Sequence, residues 1–173
     1  MKKLLMILTL VIVFHPALGQ KIEPMYRDNS VNEIKLRTPE TVEKVLGQGK
    51  KFVDQNDHEM EVANGDGKQL LTLISYPGGT TNEFYAFRVE YNTNHIKTTL
   101  KIETKDFVTG RHIKLGLTEN QVKSKLGAPS ETTSENGLKI WNYKSKDEDD
   151  LYFGRYAFKD AKLIQFWFGD EYP

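Results

Sequence analysis

The sequence predicts an α+β protein made of two tandem units, each with short helices packed on one face of an antiparallel sheet. A helix-forming pattern occurs twice, each copy is followed by alternating apolar and polar stretches, and glycine- or asparagine-rich turns separate those stretches. Connections this short favour antiparallel neighbours. We therefore place the first helix-plus-sheet unit at 34–108 and the second at 109–173.

The chain begins with the pattern of a secretory signal peptide over residues 1–19. Lys2 and Lys3 precede an apolar run over 4–14, and small residues lead up to Gly19. A membrane-spanning helix needs roughly 20 apolar residues, which is longer than this run. We expect cleavage after Gly19, a periplasmic or secreted mature protein, and an extended lead-in over 20–33.

The next element is a short helix, and its ends are marked in both units. In the second unit Thr118 and Gln121 have the spacing of a capping box, and Gly127 is the expected stop. In the first unit Thr38 is the expected N-cap, a proline follows in the first turn, and Gly47 ends the helix. Such short helices are marginal alone, so they must pack on a sheet.

Strands follow each helix, and two matches in the same order indicate a tandem duplication. Residues 34–47 match 113–127, and 85–88 match 156–159. The spacing between the matches places about nine extra residues of the first unit in 48–69. The predicted strands are 70–76, 83–91 and 96–103 in the first unit and 138–143, 151–159 and 163–168 in the second.

The composition excludes several classes of function. The chain has 24 Lys plus Arg and 24 Asp plus Glu, so no basic excess is present to bind nucleic acid. Without the two lysines of the signal peptide, 22 basic and 24 acidic residues remain. The absence of cysteine excludes disulfides, thiolate metal sites and an anchor on an N-terminal lipidated cysteine.

The helix opening of the second unit carries a family resemblance. Its pattern is Gly116-Leu117-Thr118, Gln121-Val122, Leu126-Gly127 and Pro129, followed by residues 139–143. This pattern resembles SmpA/OmlA-type outer-membrane assembly lipoproteins, which are small periplasmic domains. Two such units in tandem resemble the β-lactamase inhibitor protein (BLIP-like) fold. The resemblance implies a periplasmic or secreted protein-binding module, and it carries over no catalytic residue.

The sequence favours neither a catalytic site nor a metal-binding site. The mature histidines, His58, His95 and His112, lie on separate segments without the spacing of a helical zinc site. The 54–59 cluster and the acidic 147–150 run are interpreted as solvated loops, with cation binding as the open alternative. The 64–68 segment is interpreted as a hairpin turn because it lacks the later calcium ligands. We expect no enzyme activity and no cofactor.

Aromatic residues of the predicted sheet form the candidate partner-binding site. If helices cover one side only, the other face would expose five aromatic side chains, Trp141, Tyr143, Trp167, Tyr76 and Phe84. Trp and Tyr are enriched in binding hot spots, which favours docking of another protein there. Packing between the two units is the alternative, because large exposed apolar patches are uncommon on monomers.

These patterns predict an exported, non-catalytic protein-binding module of the bacterial cell envelope. An envelope assembly scaffold resembling the SmpA/OmlA proteins, associated peripherally with outer-membrane complexes, is the alternative function. A small periplasmic hydrolase is the third and least favoured class. The sequence identifies no partner beyond the expectation that it is a protein.

Overall fold

Seven of the nine strands in the described part of the chain form a single antiparallel sheet. The computed structural model describes residues 27–47, 58–145 and 151–171. The elements are β1 (Ser30–Val31), β2 (Ile34–Lys35), α1 (Pro39–Leu46), β3 (Glu59–Ala63), β4 (Gln69–Ile74), β5 (Ala86–Tyr91), α2 (Glu119–Leu126), β6 (Glu131–Glu135), β7 (Leu138–Lys144), β8 (Tyr152–Lys159) and β9 (Lys162–Asp170). The sheet has the order β3-β4-β5-β9-β8-β7-β6, and β1 and β2 form a small separate hairpin.

The predicted fold class of two tandem, BLIP-like helix-plus-sheet units is wrong. A helix followed by antiparallel strands does occur in each half, with three strands after α1 and four after α2, but β5 of the first half pairs directly with β9 of the second. The molecule is therefore dominated by one sheet that runs through both halves. The prediction failed because it assumed that each half closes its own sheet. An unpaired edge at β5 would expose a row of backbone groups, which the pairing with β9 satisfies.

The strand predictions were correct where apolar and polar residues alternate. Five predicted strands correspond to β4, β5, β7, β8 and β9. The predicted strand 96–103 is wrong, because this segment contributes only an isolated parallel bridge between Ala63 and Lys101. It lies along the edge of β3, where Ala63 N–H donates to Leu100 O at 3.0 Å and Ile102 N–H donates to Ala63 O at 2.9 Å.

Both helices begin and end at the predicted residues, Thr38 and Gly47 in the first half and Thr118 and Gly127 in the second, and they differ in the N-cap hydrogen bond. Thr118 and Gln121 form the predicted capping box, and Gly127 is the C-cap of α2. Thr38 is the N-cap residue of α1, but its side chain makes no capping hydrogen bond, and its hydroxyl donates to Leu36 O. The predicted signal peptide and residues 20–26 of the predicted lead-in lie outside the described residues, whereas part of the remaining lead-in forms β1.

One hydrophobic core joins the two halves on a single face of the sheet. Facing positions in neighbouring strands lie on the same face, and one such row runs Leu71, Val89, Phe166, Tyr156 and Trp141. All five are buried. The buried residues of both helices belong to the same cluster as this row. We call this side of the sheet the core face and the other side the open face.

Candidate binding groove at the end of the sheet

The open face has a half-exposed tryptophan between two arginines at its centre. Trp167 on β9 lies opposite Arg88 on β5 and Arg155 on β8. All three are partly exposed. Arg88 Nη2 donates to Glu59 at 3.1 Å, and Arg155 forms an ion pair with Glu135. Alternation along β9 explains this position, because Phe166 and Phe168 point into the core and Trp167 points the other way.

An aromatic groove of about 340 Å³ lies beside Trp167, near the end of the sheet where β4, β7 and β9 end and β8 begins. Three partly exposed aromatic side chains line it, Tyr76, Phe153 and Trp167. The Phe153 and Trp167 rings are 5.2 Å apart and nearly perpendicular, and Tyr76 Oη donates to Asp170 O at 2.7 Å. The polar side chains that line it are Asn142, Lys144, Arg155 and Glu171. An apolar hollow with a few polar groups is typical of binding sites.

A second hollow of about 350 Å³ adjoins the aromatic groove, and the two share Tyr76 as a wall. We call it the tyrosine hollow, because Tyr76 and Tyr85 line it with their ring centres 5.0 Å apart. The Arg37 guanidinium lies 5.1 Å from the centre of the Tyr85 ring, and its Nε is 3.0 Å from Asp170. Glu83 completes the lining together with the 77–79 turn.

The glycines of the 77–79 turn allow the chain to close over Tyr85. Gly78 has φ +83°, which favours glycine, and Gly79 N–H donates to Tyr76 O at 3.1 Å. A Cβ atom at Gly79 would lie 3.4 Å from the Tyr85 ring and 3.3 Å from Tyr76 O. The turn thus packs tightly against both tyrosines and defines one side of the tyrosine hollow.

The structure separates the five residues that the sequence suggested for partner binding. Tyr76, Tyr143 and Trp167 line the aromatic groove, Tyr143 as a buried side chain. Trp141, Tyr143 and Phe84 are at most 6 % exposed and belong to the core, so the prediction that all five share an exposed face is wrong. The physical reason for Trp141 is its pairing with Tyr156, which places it on the core face.

Two aromatic residues of the site were not found from the sequence. Phe153 lies on β8 with the alternation opposite to that of the buried Tyr152 and Tyr156, and this alternation was a usable signal. Alternation with the buried Phe87 and Val89 predicts a core position for Tyr85, whereas it is partly exposed in the tyrosine hollow just before β5. Its position depends on the turn at 77–79, which the pattern of strand residues does not encode.

The groups considered for metal binding remain apart in the described ranges. No cluster of three His, Cys, Asp or Glu side chains suited to a metal ion occurs there. Residues 54–57 and the acidic run 147–150 lie outside these ranges, so both interpretations stay predictions. The 64–68 segment is a turn, as predicted, in which the Asp66 carboxylate accepts from Asn64 and Lys68. None of the described helices is long and apolar enough to span a membrane.

Comparisons with known proteins assign no family to the chain. No protein family matches the sequence. No similar sequence was found among the curated proteins. A solved structure of a DUF4309 family protein (YjgB) from Bacillus subtilis is similar over 78 % of each chain, with 12 % sequence identity and a TM-score of 0.44. A similarity of this size assigns neither a fold nor a function.

Proposed function

We propose that this chain is an exported, non-catalytic binding protein of the bacterial cell envelope that docks a protein partner in the aromatic groove. The exported location rests on the pattern of residues 1–19. The docking role rests on one structural observation, the aromatic groove lined by Tyr76, Phe153 and Trp167. Aromatic side chains that a protein leaves at a concave surface are typical anchors for a partner.

The chemistry of the groove supports binding over catalysis. Active sites commonly combine a cleft with groups whose pKa values are shifted towards their catalytic task. Among the residues that line the aromatic groove, burial raises the pKa of the Tyr143 hydroxyl, which keeps it protonated. That hydroxyl donates to Gly127 O at 3.1 Å and so serves to hold the end of α2 against the sheet.

Alanine substitution at Trp167 tests the proposal. The mature protein, residues 20–173, is panned against a display library of short peptides, and the dissociation constants of selected peptides are measured by calorimetry. We expect Trp167→Ala to weaken binding by at least about ten-fold, as removal of a hot-spot aromatic does. Circular dichroism should show an unchanged fold, because Trp167 is only partly buried.

Ile96→Ala is the matched control for loss of exposed apolar surface. Ile96 is 38 % exposed and is not part of the groove lining. This variant should bind the selected peptides as the wild type does. Equal affinities of the wild type and Trp167→Ala for these peptides would remove the groove as the docking site.

A further inference from the structure

The arrangement of the two hollows indicates the shape of the partner segment. The aromatic groove and the tyrosine hollow share one lining side chain, Tyr76. In an extended peptide the side chains of residues i and i+2 point in the same direction and are about 7 Å apart. Two hollows that share the Tyr76 side chain therefore suit an extended segment that places one of these two side chains in each hollow.

The charged groups in and beside the tyrosine hollow have a net negative charge. The cationic Arg37 is paired with Asp170 through Nε at 3.0 Å, so its charge is compensated. Glu83 accepts from the Thr80 hydroxyl at 2.6 Å and from the Thr80 N–H at 3.2 Å. These hydrogen bonds, with smaller contributions from a Tyr85 hydrogen bond and the Arg37 charge, hold the pKa of Glu83 below its usual range, which keeps the carboxylate ionised. Arg37 and Glu83 are the charged residues of the lining, and Asp170 lies beside it, so these three groups together leave one negative charge.

The walls of the tyrosine hollow also suit a cation. Tyrosine ring faces attract ammonium and guanidinium groups. Arg37 already lies over Tyr85, which shows such a contact within the protein itself. Tyr76 supplies a second ring in the same hollow, and Glu83 lies among the same lining residues. By contrast, four aromatic residues, three of them partly exposed, line the neighbouring groove and favour an apolar side chain.

The backbone of Arg37 points to a role for its side chain. Arg37 has φ +53°, and its N–H donates to Phe84 O. The corresponding position in the second half is Gly116, with φ +83° and an N–H that donates to Leu163 O. Left-handed backbone favours glycine, so arginine is a disfavoured choice at this position. Its side chain contacts both Asp170 and Tyr85, and so fixes two groups next to the hollow.

We propose that the docked partner segment is extended and carries a large apolar side chain in the aromatic groove and a lysine or arginine, two residues away, in the tyrosine hollow. This inference rests on the proposed function and names the chemistry of its partner. Glu83 supplies the charge that selects the basic residue, and Arg37 positions the tyrosine wall.

The test is a double-mutant cycle that removes the charge of Glu83 and the charge of the basic residue in the selected peptide. Panning of the mature protein should enrich Phe, Trp or Leu with Lys or Arg two positions away. Glu83→Gln should weaken binding of such a peptide by about ten-fold or more. The same peptide with alanine at the basic position should bind the wild type and Glu83→Gln with equal affinity. This equal affinity would also show that the variant is folded. Glu40→Gln, on the exposed side of α1, is the matched control and should change neither affinity.

The outcomes distinguish this inference from the proposed function. The inference would be overturned if panning enriched acidic or uncharged residues two positions from the apolar residue. It would also be overturned if Glu83→Gln and Glu40→Gln had equal effects on affinity. The proposed function would survive this result as long as Trp167→Ala still weakened binding. If Trp167→Ala left peptide binding unchanged, the proposed function itself would fail.

Discussion

Asp28 is a buried carboxyl group with an incomplete set of hydrogen bonds. It is 1 % exposed, and its Oδ1 accepts from Arg111 N–H at 2.8 Å. Its Oδ2 has no hydrogen-bond partner among the described residues. Burial raises the pKa of Asp28 from 3.8 to about 6, because the charged form loses its water of solvation. The carboxyl group therefore titrates close to neutral pH.

Replacement of Asp28 should change how stability depends on pH. The folded state binds the Asp28 proton more tightly than the unfolded state, so the contribution of this group is present below pH 4 and is lost as the pH rises to about 6. The shift corresponds to about 3 kcal/mol. We expect Asp28→Asn to be more stable than the wild type at pH 7.5 and to lose much of that advantage at pH 4, as measured by urea unfolding. A constant difference across this range would contradict the raised pKa.

The two tryptophans show what alternation in a single strand can and cannot predict. Alternation on β9 correctly separated Trp167 from Phe166 and Phe168. Trp141 was expected on the exposed face, whereas it is buried in the core. The face of β7 is set by its pairing with β8, and this pairing is a long-range feature that one strand does not reveal.

At the scale of elements, the two helices differ in how they begin. The Thr118 hydroxyl accepts from Gln121 N–H at 3.3 Å, and the Gln121 side chain accepts from Thr118 N–H at 2.9 Å. Thr38 makes no equivalent bond. Thr118→Ala should therefore lower the free energy of unfolding by about 1 kcal/mol in urea denaturation. Thr38→Ala should cost clearly less, and equal losses in the two variants would show that the capping box is not the source of the effect.

The elements that sequence reasoning found are those with strong local signals. Glycine stops, the Thr118 capping box and the alternating strands β4, β5, β7, β8 and β9 were all predicted. β6 was missed because its sequence, Glu-Thr-Thr-Ser-Glu, has no apolar alternation, and its residues are exposed or half-exposed. This strand forms through pairing with β7 across the turn at Asn136 and Gly137. The groove could be predicted only in part, because it depends on which strands become neighbours.

At the scale of the whole molecule, the junction between β5 and β9 makes the two halves one structure. Gly169 faces Ala86 across this junction, and a Cβ atom at Gly169 would overlap Tyr85 O and Ala86. Glycine is therefore required for the close approach of the two strands. Core residues from both halves belong to one cluster, so neither half buries its apolar face alone.

The continuous sheet predicts a single cooperative unfolding transition. Scanning calorimetry of the mature protein should give one peak, with calorimetric and van't Hoff enthalpies that agree. Urea denaturation followed by circular dichroism and by tryptophan fluorescence should give coincident curves. Two separate transitions would indicate that the halves fold independently, as the tandem-unit prediction assumed.

The central claim is that a partner docks beside Trp167, and tryptophan fluorescence tests it directly. The chain has two tryptophans, so Trp141→Phe leaves Trp167 as the only one, and Trp167→Phe leaves the buried Trp141 as the control. A peptide selected on the wild type should shift the emission of Trp167 in the first variant as it saturates the site. The same titration should leave the emission of Trp141 in the second variant unchanged. Saturable binding without any change at Trp167 would contradict the account.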